Sequence, residues 1–182
     1  MIDTIGMTDI GNGRPSNQDA YLLRQKEKNG KLYLLAVVCD GMGGLKKGEI
    51  ASHYIVEVLK QWFDETLFDG LETMGIDMIE QNLIDLIRRI NQNLLLMSRR
   101  MEETKSMGST LTLLFVKEHE FFVLNVGDSR TYWFDRDRKF VTTDHTLAEL
   151  ELRAGHLTKE QAKKDPRRHI LIQCVGAVSY TH

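Results

Sequence analysis

Cysteine is scarce. Only two occur in 182 residues, Cys39 and Cys174, far apart and each among apolar neighbours. That excludes a disulfide scaffold, and no Cys/His spacing suggests zinc. The two read as reduced, buried thiols of a cytoplasmic protein. An excess of one charge is also missing. The formal net charge is -2, so no global basic field points to nucleic acid or a membrane surface. No apolar run reaches membrane-spanning length. The opening MIDTIGMTDIG has no basic stretch followed by an apolar one, so it does not read as a signal peptide. Repeats and low-complexity tracts are absent. What is present is 42% hydrophobic and 27% charged residues, the balance of one globular domain.

Periodicity then divides the chain. DTIGMTDIG alternates and predicts a short strand. GNGRPSNQD is rich in turn formers and predicts a loop. AYLLRQ reads as a strand, Asn29-Gly30 as a hairpin turn, and LYLLAVVCD as a fully buried strand. In Glu49–Phe63 the residues Ala51, Tyr54, Ile55, Val58, Leu59 and Trp62 form one helical face. A wider stripe over Asp77–Glu103 runs from Ile79 to Met101, and its width favours a helix packed on a sheet over a coiled-coil seam. Gly70 and Gly75 lie between the two helices. STLTLLFVK and EFFVLNVGD read as strands joined at Glu118-His119. A polar turn at Asp135–Arg138 divides the next strand pair. Thr146–Arg153 reads as a short helix, and a second starts at the Thr158 capping box. HILIQCVG reads as a further strand. Hairpin-joined strands with two inserted helices predict an α+β fold with antiparallel sheet rather than βαβ units.

The stretch VVCDGMGGLKKGE carries the chemical question. Asp40 ends an apolar strand, Gly41, Gly43 and Gly44 follow, and a helix begins. A hairpin turn accounts for Asp-Gly, but a helix follows, not a strand. A dinucleotide loop needs a third glycine where Lys46 stands, and an acid after a next strand that does not come. A phosphate-cradling P-loop lacks its Gly-Lys-Ser/Thr. A hard divalent cation is the remaining reading. It takes oxygen ligands and keeps waters, and one strand-end carboxylate can bridge two ions while glycine lets ligands approach the backbone. Arg14, Asn17 and Asp19 on the preceding loop, and Asp128 after another strand and glycine, supply a phosphate-gripping guanidinium and further carboxylates.

In order along the chain, TDIGNGRPSNQDA, VVCDGMGG, MGSTLTLLFV, LNVGDSRTYW, TTDHT and ELRAGHLTKEQAKKDPRRHILIQCVG resemble the motifs of the metal-dependent protein phosphatases of the PP2C (PPM) family, bacterial type. The resemblance implies two packed antiparallel β-sheets flanked by helix pairs, in four layers. It implies two Mn²⁺ or Mg²⁺ ions and an activated water that attacks phosphoserine or phosphothreonine. Carried over, Asp40 bridges both ions and Gly41 gives its carbonyl. Asp19 holds metal-bound water, Arg14 grips the phosphate, and Asp128 attends a third, weaker ion. The implied substrates are phosphoproteins, targets of a bacterial Ser/Thr kinase, in the cytoplasm.

Two departures accompany the resemblance. Met42 stands where many eukaryotic members carry histidine, and His145 reads as structural rather than as a proton carrier. The family's later Ser-Asp-Gly and Asp-Asn ligands have no counterpart here. Residues 1–182 therefore read as a single phosphatase domain that is C-terminally incomplete, with doubtful activity of its own. The competing reading is an inactive relative that binds phosphoprotein or metal without turnover. An aspartyl-nucleophile phosphatase would need an aspartate where Met42 stands. The metal reading requires Arg14, Asp19, Asp40 and Asp128 to meet in one cleft.

Overall fold

The computed structural model describes residues 2–43, 47–100 and 107–176. A long hairpin organises it. Strand β1 (Asp19–Lys28) turns at Asn29-Gly30 and returns as β2 (Lys31–Met42). Asn29 and Gly30 both have positive φ, 51° and 73°, the geometry of a tight two-residue hairpin. Helices α1 (Lys47–Asp69) and α2 (Ile76–Arg100) follow, and residues 101–106 of the expected second helix lie outside the described residues. Next come β3 (Gly108–Ser109), β4 (Leu111–Lys117) and β5 (Glu120–Val126). The antiparallel sheet runs β1-β2-β4-β5, with β3 on the end of β2. A second, two-stranded sheet pairs β6 (Tyr132–Phe134) with β7 (Lys139–Val141). Short helices α3 (Leu147–Arg153) and α4 (Lys159–Lys164) and a 3₁₀ turn at Pro166–His169 complete the α+β architecture.

The core lies between the main sheet and the two long helices. In β2 the buried set is Tyr33, Leu35, Val37 and Cys39, packed with Ile55, Leu59 and Phe63 of α1 and Ile79, Leu83, Ile90 and Leu94 of α2. Phe115 of β4 meets Trp62 and Phe63 edge-on and stacks on Phe122. The expectation of a fully buried β2 is corrected. Its residues alternate, and Val38 and Asp40 are exposed on the face away from the helices. Buried Lys117 donates from Nζ to the carbonyls of Leu71 and Met74, pinning the α1–α2 connection.

Two predicted strands are absent. Residues 2–10 form an extended loop, tied by Asn17 Nδ2 donating to Thr8 Oγ1 at 2.8 Å and Tyr21 Oη to the Gly6 carbonyl at 3.3 Å. The pattern alternates, but among the described residues no strand pairs with it. Residues 170–176 make only isolated bridges, Thr146–Leu171 and Ser109–Val175. The expected capping box is present, formed reciprocally by Thr158 and Gln161, and the other short helix, α3, starts one residue later than expected, with Thr146 as its cap. Neither cysteine is in a disulfide. Cys39 is buried, and burial pushes its thiol pKa up to about 12. Cys174 is only half-buried, because the segment carrying it edges a cleft.

Candidate active site

The first rung of the β1–β2 ladder sets Asp19 directly opposite Asp40. Opposed residues on antiparallel strands share a face with Cβ atoms roughly 5 Å apart, and like charges there are unfavourable. A pairing chosen for stability alone would avoid it. The backbone around it is fixed. The Gln18 carbonyl accepts from Gly41 N at 3.1 Å and from Ser52 Oγ at 2.7 Å, tying the start of β1 to the end of β2 and to α1. Asn17 Oδ1 accepts from Asp19 N at 3.0 Å. Gly41 has no room for a side chain: a Cβ would lie 2.2 Å from the Gly48 carbonyl oxygen and 2.5 Å from that of Gln18. Glycine here lets β2 pass between β1 and the start of α1.

Asp128 arrives on the bend after β5, past Gly127 with φ of 104°. A hydroxyl pair joins this bend to β2. Asp40 N donates to Thr110 Oγ1 at 2.9 Å, and Thr110 Oγ1 lies 2.6 Å from Ser129 Oγ. Ser109 Oγ donates to the Asp40 carbonyl at 3.0 Å. One cleft of about 870 Å³ is lined by Arg14, Asp19, Asp40, Gly41 and Asp128 together. Withdrawal of water raises the Asp40 pKa. The carboxylates of Asp19 and Asp128 and a hydrogen bond between the Asp19 and Asp40 carboxyls raise it further, while Arg14 opposes them. The side chain opens onto the cleft, so the crowding of like charge is what distinguishes this position from an ordinary surface aspartate.

Among the described residues no three His, Cys, Asp or Glu side chains gather as a metal-ligand cluster. Two facing carboxylates with a third nearby, in an open polar cleft, still fit a hard cation that keeps most of its waters and takes one or two carboxylates. The crowding that raises the Asp40 pKa is the repulsion such a cation relieves. His145 is not in the cleft lining. Its ring Nδ1 accepts from Gly127 N at 3.3 Å, and its backbone N–H donates to the Gly127 carbonyl at 2.9 Å, so it holds the bend that carries Asp128. Burial, then the Arg153 charge, push its pKa down, with Asp144 opposing. Sequence reasoning missed Thr110, His169 and Cys174 in the lining. The Ser109-Thr110 pair after Met107-Gly108 was the available signal for Thr110. Nothing local marks the other two.

Residues 5–176 match the family profile described as Protein phosphatase 2C. The chain belongs to this family. "Serine/threonine phosphatase stp" of Listeria innocua is 32% identical over 171 residues, 93% of this chain and 65% of that protein. The chain thus spans somewhat less than two thirds of the curated relatives' length. Among solved structures, serine/threonine phosphatase Stp1 from Staphylococcus aureus superposes with a TM-score of 0.82 at 33% identity, over 93% of this chain and 64% of that one. The catalytic domain of the phosphatase PstP, in complex with two manganese ions, shares the fold with a TM-score of 0.70 at 23% identity, over 91% and 63%.

Proposed function

We propose that this cleft serves a metal-dependent hydrolase of phosphoserine and phosphothreonine in proteins. The observation that carries the reading is the Asp19–Asp40 pair set face to face at a strand end, with Arg14 and Asp128 in the same cleft. Asp40 would hold Mn²⁺ or Mg²⁺ with the Gly41 carbonyl as a neutral oxygen, Asp19 on the facing strand would hold metal-bound water, and Asp128 would attend a further, weaker position. Bound divalent metal lowers the pKa of a coordinated water and offsets charge on the phosphoryl oxygens. Arg14 orients the phosphate through its planar pair of donors. The Thr110–Ser129 link keeps Asp40 and Asp128 in register with each other. The PstP ions belong to that protein; here support for a cation comes from the carboxylate crowding itself. The substrates on this reading are phosphoproteins made by a Ser/Thr kinase in the same cytoplasm.

A second reading, a phosphoprotein- or metal-binding module without turnover, is favoured by the lack of a three-ligand cluster among the described residues. Phosphate release from a phosphothreonine peptide, with Mn²⁺ and with EDTA, separates the two. Metal-dependent release that Arg14→Ala weakens mainly through KM supports the hydrolase. Binding of the peptide with no release selects the second reading, and no binding at all rejects both.

A further inference from the structure

A second cleft, of about 580 Å³, lies beside the first. Asp128 and His169 line both, so the two are contiguous. Its walls are α3, α4 and the 3₁₀ turn. Its acidic residues are mostly engaged. Asp144 takes two hydrogen bonds from Arg130, each at 2.6 Å, and Glu149 pairs with Arg153 at 3.3 Å. The cations on the opposite wall are not. Lys159 and Lys163, one turn apart on α4, both line the cleft and have no ion-pair partner among the described residues. Arg168 joins them, held in place by donating from Nη1 to the Lys163 carbonyl at 3.2 Å and from Nε to His169 Nε2 at 2.9 Å. The turn beneath is rigid, because buried Asp165 accepts from Arg167 N, Nε and Nη2 at 2.7 to 3.0 Å.

We propose that Lys159, Lys163 and Arg168 form an anion subsite that selects phosphoprotein segments carrying a second negative group close to the phosphorylated residue. This rests on the reading of the first cleft as the phosphate site. A substrate strand whose phosphate sits by Arg14 continues past Asp128 and His169 into a cleft whose unpaired side chains beyond Asp128 are cationic, and complementary charge sets partner choice. The second anion is either a glutamate or aspartate carboxylate or another phosphoryl group.

Fluorescence anisotropy in Mn²⁺ buffer tests it, using labelled phosphothreonine peptides flanked by alanine, by glutamate, or by a second phosphothreonine. The expected result is roughly tenfold tighter binding of the anion-flanked peptides, a preference that shrinks at high salt. The Lys159→Ala/Lys163→Ala double variant should abolish that preference while leaving the alanine-flanked peptide's affinity unchanged. A glutamate peptide that gains as much as the doubly phosphorylated one assigns the site to carboxylates, and a gain confined to the latter assigns it to phosphate. Equal, Arg14-dependent binding of all three peptides overturns the subsite and leaves the phosphate site standing. Binding that Arg14→Ala does not weaken overturns the underlying reading.

Discussion

With its carboxyl withdrawn from water, Asp19 directly across the ladder and Asp128 nearby, Asp40 holds its proton above the usual carboxylate range. A raised acid pKa means that the folded chain binds more protons than the unfolded one. The stability of the metal-free protein therefore falls as pH rises through the ordinary aspartate range and on through the folded value. Asp40→Asn removes that slope. Opposed like charges on a ladder cost roughly 0.2–1 kcal/mol, so the variant should melt about 1–3 °C higher near neutral pH. It should also lose the rise in Tm that Mn²⁺ gives the parent. Thermal melts across the acid-to-neutral range, with and without Mn²⁺, read both effects. A variant that melts lower, or that keeps the full Mn²⁺ shift, sinks the assignment. Gly41→Ala tests the neighbouring backbone. Its Cβ meets two carbonyl oxygens that cannot move independently of β1 and α1, and overpacking of this kind costs about 2–3 kcal/mol. Urea denaturation should show that loss, and an unchanged midpoint would mean the passage is wider than described.

The elements bring these residues together through contacts of long sequence separation. Thr110 of the β3–β4 junction is buried, accepts from Asp40 N and touches Ser129 Oγ. Thr110→Val leaves a strand-end N–H without its acceptor, at a cost of about 1–3 kcal/mol. It should also weaken the Mn²⁺ shift in Tm by loosening the Asp128 bend. Thr110→Ser keeps the hydroxyl and should restore both. If valine and serine behave alike, the hydroxyl link is not what registers the two strands. At this scale the sequence was legible where signals are local. Asn29-Gly30 and the Thr158–Gln161 box each encode their own geometry. DTIGMTDIG and HILIQCVG were misread because an alternating or apolar run describes half of a pair, and a strand exists only with a partner. The 3₁₀ turn at Pro166–His169 was missed because its start depends on the Asp165 side chain capping Arg167 N.

Across the whole molecule, the site was readable to the extent that its residues end strands. Asp40 and Asp128 each follow an apolar run and adjoin glycine, and Asp19 opens β1. Their convergence in one cleft with Arg14 follows from the sheet order and the ladder register. The Thr110–Ser129 link and the cationic cleft of α4 were not readable, since both depend on which segments the fold sets side by side. The central claim is that the Asp19–Asp40 pair holds a divalent cation, and calorimetric titration with Mn²⁺ at neutral pH tests it most directly, run on the parent chain and on Asp40→Asn. With the Asp40 carboxylate and the Gly41 carbonyl as direct ligands and Asp19 reaching through water, the parent should bind saturably, with a dissociation constant on the order of 0.1–1 mM, and the variant should give no saturable heat. Identical isotherms for the two proteins, or no binding by the parent, would contradict the account.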